Sequence, residues 1–502
     1  MAKKNDDKSI VLSSFSPSPP EAVYLRESDI QEQRETISNQ EQETIVNEEE
    51  LRALYEKRLR RFCCLCCFQC DLWKKDNQKE ERKQAITHFS SLIVGNGFQD
   101  LLPDDWILGV KVYKRIQSSS SHRQTEPSKS IENKPLDILK QAKRWMQHAE
   151  AVFGPLLFAI EKPSQAILGI TPQWVIFLRT GVHSKDIIAQ KFKADTYFPA
   201  YYICYDHLAL SIVVAVRGTL SIADALTDLD GLNEPLKITL AENTIHGCVH
   251  NGMLRSAQKL TQIMEPILRE ACESYPSYRL IITGHSLGAG CAMVLSILLR
   301  ERNICDNLQC YAFGPPPVLS DSLAEACNSF VISFVHNNDI VPRLSIPALR
   351  RFFRACQIAK RYHSFQRLAL WLGWTSWIHL DASILEHPSD ETYESQRLFV
   401  GGIIYHLQKK MRTQKGCMMI CSHDVGHIYS ISTITRQQLR EIIGLKGMLM
   451  DHLPENYAKA ISQWIASHST DASQSINGYS VAVDEDHPLT DELSQLQNTF
   501  NG

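Results

Sequence analysis

The chain has 502 residues, 22% of them charged and 44% hydrophobic, with a formal net charge of −3. That length suits one large domain with tails or two ordinary domains, and the near-neutral balance gives no electrostatic basis for binding nucleic acid. Fifteen cysteines, odd in number and unevenly spread, together with an N-terminus (MAKKNDDKSIVLSSF) lacking an apolar run of signal-peptide length, point to free thiols in a reducing, cytoplasmic setting. No window supplies the roughly 20 uncharged apolar residues of a membrane span, so any membrane contact is expected to be peripheral.

Residues 1–48, rich in Ser, Pro, Glu and Gln, read as a disordered tail. The pattern turns helical at NEEELRALYEKRLRRF, with acids first and bases last, and residues 49–80 continue from it into RRFCCLCCFQC. Residues 81–195 read as a helical N-terminal part of the next region, including LKQAKRWMQHAEAVFGPLLFAI. From 196 to 467 the texture becomes α/β. LSIVVAV, RLIIT, LQCYAF and SFVISFV are short runs typical of buried strands, and the apolar helix AGCAMVLSILLRER lies between two of them. Strands alternating with helices predict a mainly parallel sheet flanked by helices. Residues 346–398 interrupt it as a long irregular insertion rich in Arg and Trp. FVGGIIYHL and HIYSIS follow as late strands, a helix is expected over 454–467, and residues 468–502 read as a mobile tail.

IITGHSLGAG contains G-x-S-x-G: Gly284, His285, Ser286, Leu287 and Gly288. A buried strand before it and an apolar helix after it are the context in which a sharp turn lifts a serine hydroxyl out of a sheet. Gly284 and Gly288 let the backbones crowd together, and the Leu287 N–H at the helix start can face a developing oxyanion. His285 reads as packing or polar support. A serine nucleophile needs a base, and the base needs an orienting carboxylate. Asp339 follows the strand SFVISFV in HNNDIVPRLS and suits the acid; Asp321 reads as a helix cap. The base must come later, among His363, His379, His387, His406, His423, His427 and His452. His452, on a loop just before a helix, is the preferred choice, with His427 as the alternative. His423 and Cys421 match no zinc-ligand spacing, and no metal site is expected.

GHSLGAG with the upstream VVAVRGTLSIADALTDL resembles the class 3 lipases of the α/β-hydrolase fold. Within them the chain is most similar to the sn-1-specific diacylglycerol lipases, through HNGMLRSAQ, FGPPPVLS, NNDIVPRLS and DHLPENY, over roughly residues 60–465. The resemblance implies Ser286, Asp339 and His452 as the catalytic set, and Thr219 as a second oxyanion donor with Arg217 and Gly218 shaping its turn. It also places a regulatory loop or lid in the interval 346–398, where Trp371, Trp374 and Trp377 fall. A helix merely packed on the domain is the competing reading of that interval. The implied activity is hydrolysis of an acyl ester of diacylglycerol, at sn-1, to 2-monoacylglycerol and a fatty acid. Phospholipase A1 or triacylglycerol lipase activity is the alternative within the same chemistry, and a catalytically silent lipid-binding scaffold the alternative outside it. No cofactor is required; calcium enters only through the resemblance, with no EF-hand loop to support it.

Similar diacylglycerol lipases carry four membrane helices before the catalytic region, and this chain has a polar tail in their place. Peripheral association with the cytoplasmic face of a membrane is therefore expected. That favours reversible S-acylation of Cys63, Cys64, Cys66, Cys67 and Cys70, beside Arg52, Lys57, Arg58, Arg60 and Arg61, as a two-signal anchor. Zinc binding or a structural or redox role are the competing readings of the cluster.

Overall fold

The computed structural model describes residues 103–119, 135–155, 157–158, 171–194, 197–218, 233–240, 242–378, 382–387, 390–411, 427–442 and 447–469. The chain divides into two compact units, Met1–Lys57 with Ile167–Gly169 and Arg58–Ala166 with Ile170–Gly502, and every described residue belongs to the second. The cysteine cluster, Thr219, His379, His423 and both tails lie outside the described residues.

The elements in chain order are α1 (Pro103–Ser119), α2 (Pro135–Ala151), α3 (Pro172–Thr180), β1 (Ile187–Lys191), β2 (Tyr201–Asp206), β3 (Ser211–Val216), β4 (Asn233–Leu240) and β5 (Asn243–His250). They continue with α4 (Asn251–Ser274), β6 (Arg279–His285), α5 (Leu287–Glu301), β7 (Leu308–Phe313), α6 (Asp321–Ala326), β8 (Val331–His336), α7 (Ile346–Arg361) and α8 (Ser364–Trp371). The last are α9 (Asp390–Ser395), β9 (Ile403–Met411), β10 (His427–Ile434) and α10 (Pro454–Ser469).

Eight strands form one sheet in the order β1-β2-β3-β6-β7-β8-β9-β10, while β4 and β5 pair as a separate hairpin. Strands β3, β6, β7, β8 and β9 run parallel; β1, β2 and β10 join antiparallel at the two edges. The chain thus has the α/β fold expected, with a mostly parallel sheet. Its central strands read as continuous apolar runs because both faces are covered. Ile212, Val214, Leu280 and Ile282 face one core with α4 and α5. Val213, Ala215 and Ile281 face another with α2 and α10.

Two expectations need correction. The sheet begins at β1, before residue 196, because Ile187–Lys191 pairs with Tyr201–Cys204 although it shows no clean alternation of burial. The insertion is largely helical rather than irregular. Ser345 caps α7 by accepting from the Ala348 N–H, Pro347 occupies its first turn, and Leu349, Phe352, Phe353 and Cys356 recur at helical spacing as its buried stripe. That stripe packs with Leu108, Val112 and Tyr113 of α1. The abundance of Arg masked the period.

A buried polar clamp ties α2 to the end of the sheet away from Ser286. Asp206 is fully buried and accepts from Arg144 Nε at 2.7 Å, Arg144 Nη2 at 2.9 Å and His148 Nε2 at 3.0 Å. The other ring nitrogen of His148 meets the Tyr202 hydroxyl at 2.9 Å. Burial works against ionisation of Asp206, but the bonds from His148 and Arg144 overcome it and hold the carboxyl well below its ordinary 3.8. Burial also holds His148 below 6.5. Asp206→Ala would leave Arg144 without its buried partner and is expected to cost roughly 3–5 kcal/mol. In acid the unfolded chain takes a proton on His148 and then on Asp206 before the folded chain does, so the clamp's contribution is complete above pH 6.5 and declines steadily below it. Urea titrations at stepped pH measure both effects: the variant must show a lower midpoint at neutrality and a shallower loss in acid.

Candidate active site

Strand β6 ends at His285 and α5 begins at Leu287, which leaves Ser286 alone at the turn with φ 61° and ψ −132°. A non-glycine residue there is strained by about 1–3 kcal/mol. The turn is held by the Ser286 N–H bonding to the Phe313 carbonyl on the neighbouring strand at 2.9 Å. It also needs close backbone approach. A Cβ on Gly288 would lie 2.3 Å from the Val216 carbonyl oxygen and 2.5 Å from the Gly218 nitrogen, and one on Gly284 2.6 Å from the Gly288 carbonyl. Neither backbone can give way, so only glycine serves at these positions. The Leu287 N–H sits at the first position of α5, where the helical ladder offers it no acceptor.

Ser286, Asp339 and His452 come together although 166 residues separate the first from the last. His452 Nε2 lies 2.8 Å from Ser286 Oγ, and its Nδ1 lies 2.8 Å and 3.0 Å from the two oxygens of Asp339. A carboxylate only accepts, so the imidazole carries its proton on Nδ1 and turns the lone pair of Nε2 to the serine. Asp339 is fully buried, following β8 in a tight turn. Its Oδ1 accepts from the Val341 N–H at 2.8 Å and its Oδ2 from the Tyr457 hydroxyl at 2.5 Å. Burial and the facing carboxylate raise the Tyr457 phenol well above its ordinary value, so it remains a donor. His452 ends a single 3-10 turn, Met450–His452, directly before α10. In sequence it is the third of this group to be supplied, and it reaches the others because α10 packs against the sheet face carrying Phe313 and Phe334.

Other candidates are placed elsewhere. His427 opens β10, paired with Met411. Asp321 opens α6 and binds Arg436 at 2.9 Å. His363 is the residue before α8, and His406 lies within β9. His285 does not face the serine as a base. Its Nε2 donates to the carbonyl of His452 at 2.8 Å, and its ring lies 4.7 Å from the His452 ring. Burial, reinforced by His452, depresses its pKa well below 6.5 and keeps it neutral. Among the described residues no three His, Cys, Asp or Glu side chains converge as metal ligands.

Two contributors were not assigned from the sequence. Tyr457, quoted only as part of a resembling stretch, supports the acid. Gly314, in FGPPP, has φ 56°, and a Cβ there would lie 2.9 Å from both Asp339 Oδ2 and the Tyr457 hydroxyl and 3.2 Å from His452 Cε1. The only signal for Gly314 was its position directly after a strand, where many glycines serve a plain turn.

Residues 213–348 match the family model "Lipase (class 3)". The chain is 30% identical over 319 residues to Diacylglycerol lipase-beta of Mus musculus, covering 57% of this chain and 46% of that protein. It is 36% identical over 186 residues to Diacylglycerol lipase-alpha of Homo sapiens, covering 36% and 18%. The chain thus spans less than half the length of these curated relatives. Among solved structures, the Rhizomucor miehei lipase propeptide complex superposes with a TM-score of 0.39 at 15% identity, covering 64% of this chain and 80% of that one. The segment that matches the class 3 lipase model, residues 213–348, contains the strand–Ser286–helix turn and the buried Asp339 that follows β8.

Proposed function

We propose that this protein is a serine lipase that hydrolyses an acyl ester of diacylglycerol, at sn-1, to 2-monoacylglycerol and a fatty acid. The observation that carries the proposal is the continuous hydrogen-bonded line from Ser286 Oγ through His452 to the buried Asp339. His452 Nε2 removes the Ser286 proton as Oγ attacks the ester carbonyl, and the oxyanion meets the Leu287 N–H and Thr219. His452 returns the proton to the departing glycerol oxygen. Water, deprotonated by the same imidazole, then releases the fatty acid from Ser286. Asp339 keeps the imidazole in the productive tautomer and stabilises its cation. The chemistry needs no cofactor beyond these side chains. The substrate class rests on the relatives named diacylglycerol lipases, and the sn-1 position on the sequence resemblance alone.

Ser286→Ala is expected to lower turnover of diacylglycerol on the order of 10⁴-fold or more. Asp339→Asn, which favours the wrong tautomer, should lower it by roughly 10³–10⁴-fold. Chromatography of the lipid products checks both and separates diacylglycerol from phospholipid or triacylglycerol as substrate; an active Ser286→Ala protein would sink the proposal.

The substrate lies in lipid, and among the described residues no helix is long and apolar enough to cross a membrane. We place the protein peripherally on the cytoplasmic face of a membrane, held in part by α8. This helix and the turn that follows it, Leu372–Trp374, are apolar on two sides. Ala369 and Leu370 are buried, while Phe365 is 76% exposed and Leu368, Leu372 and Trp374 each more than half exposed. A helix that only packs on a domain presents a polar outer face; bulky apolar residues with Trp among them suit the membrane–water boundary. Trp377 behaves differently, its indole N–H bonding to the Trp374 carbonyl at 2.7 Å and its ring packing edge-on to Tyr362. Replacing Phe365, Leu368, Leu372 and Trp374 by Ser is expected to lower hydrolysis of diacylglycerol in phosphatidylcholine vesicles at least about tenfold while sparing a water-soluble short ester. Equal losses on both substrates would remove the interfacial role.

S-acylation of Cys63, Cys64, Cys66, Cys67 and Cys70 would supply the second anchor. Hydroxylamine should then release the protein from cell membranes, and replacing the five cysteines with Ser should leave it in the soluble fraction; membrane binding that survives the replacement refutes this anchor.

A further inference from the structure

Three histidines outside the catalytic line touch the two loops that carry Asp339 and His452. His285 Nε2 lies 2.8 Å from the carbonyl of His452. His336 Nδ1, at the end of β8, lies 2.9 Å from the carbonyl of Asp451. His406 Nε2, on β9, lies 2.7 Å from the carbonyl of Asn337. We propose that His285, His336 and His406 are positioning residues, each donating one ring N–H to a backbone carbonyl so that the acid and base loops stay in register with Ser286.

A carbonyl oxygen only accepts, which fixes the tautomers: the proton sits on Nε2 of His285 and His406 and on Nδ1 of His336. Successive carbonyls of the base loop, at residues 451 and 452, are therefore held by two rings on separate strands, β8 and β6. The loops are also tied to each other. The Asp451 carboxylate accepts from the Asn337 side-chain amide at 2.9 Å and from the Asn338 N–H at 3.2 Å. Asn337 adopts the left-handed conformation, φ 45°, that this crossing demands and asparagine tolerates. Its carbonyl is the one His406 holds. Displacing any of these carbonyls moves Asp339 or His452 against Ser286, and a shift of about 1 Å in a reacting group costs on the order of a hundredfold in rate. Burial keeps all three rings neutral, with His406 down to about 4, so each offers a single donor in a fixed direction.

The inference rests on Ser286 and His452 being nucleophile and base, and its test separates the two ideas. The full chain is assayed on a soluble short-chain ester, and kcat is expressed per site titrated by a fluorophosphonate. Phe at each position keeps a ring and removes the donor; kcat per site is expected to fall about tenfold or more with KM little changed. Asparagine places its amide nitrogen where Nδ1 was, and glutamine where Nε2 was. His285→Gln, His406→Gln and His336→Asn should recover most of the loss, while His285→Asn, His406→Asn and His336→Gln should not. A merely structural role would lower melting temperatures without moving kcat per titrated site, and matched and mismatched amides would behave alike; either result overturns the inference. If a Phe variant fails to fold, the paired amides carry the comparison alone. A wild-type protein that fluorophosphonate leaves unlabelled at Ser286 defeats the catalytic reading itself, and the inference with it.

Discussion

The Asp339 carboxylate is withdrawn completely from water, and a buried charge of this kind costs several kcal/mol unless neighbours satisfy it. The donors that do so are the His452 ring and the Tyr457 hydroxyl, from the turn before α10 and from its start, and the Val341 N–H of the acid's own turn. The acid can exist only where β8, the turn after it and the start of α10 meet. Gly314 is part of the same constraint, because any side chain there would occupy the space in which the carboxylate, the phenol and the imidazole converge. The orientation of His452, and with it the lone pair directed at Ser286, is thus a consequence of solvating one buried charge with protein groups.

The sheet supplies the rigidity that this arrangement needs. β6 delivers His285 and Ser286, β7 delivers the carbonyl that holds the Ser286 N–H as well as Gly314, and β8 delivers His336 and the acid loop. These strands are adjacent and parallel, so their C-terminal ends lie side by side. Helix N-termini and strand C-termini meet at that edge, where a backbone N–H can face a developing negative charge. The opposite end of the strands carries the Asp206 clamp, where both ring nitrogens of His148 are taken, one by Asp206 and one by Tyr202, and neither faces a serine. Its similarity to the site is chemical only: both satisfy a buried carboxylate, and one does so beside a nucleophile.

Features set by neighbouring residues were readable in the sequence. Ser286 stood out because the strand, the small residues and the helix that shape its turn are contiguous. Asp339 stood out because it follows a strand at a turn, and His452 because the loop precedes a helix in a stretch that resembles relatives. Features set by distant residues were not readable. Nothing near Gly314 announces that Asp339 and Tyr457 will crowd it, and His406 looks like any strand histidine until Asn337 arrives from another strand end. Strand β1 carries no alternation of its own and becomes a strand only by pairing with β2. The helix α7 was hidden because three of its arginines lie at positions an isolated amphipathic helix would give to solvent.

Those arginines are paired with carboxylates of the same fold. Arg350 and Arg354 bind Asp390 at 2.8 Å and 2.5 Å, and Arg351 binds Glu394 at 3.0 Å and Glu441 at 2.7 Å. Arg367 of α8 reaches Asp104 and Asp105 at the start of α1. The arginines in which the insertion is rich are largely engaged with carboxylates of the same fold. The pairs with Asp390 and Glu394 brace the insertion internally, while Arg351–Glu441, Arg367 with Asp104 and Asp105, and the buried stripe of α7 against α1 join it to the rest of the fold. What remains outward is the second apolar side of α8 and of the turn after it. Contact with lipid through that side would therefore rest on apolar burial at a preformed surface, with screening by salt a secondary influence.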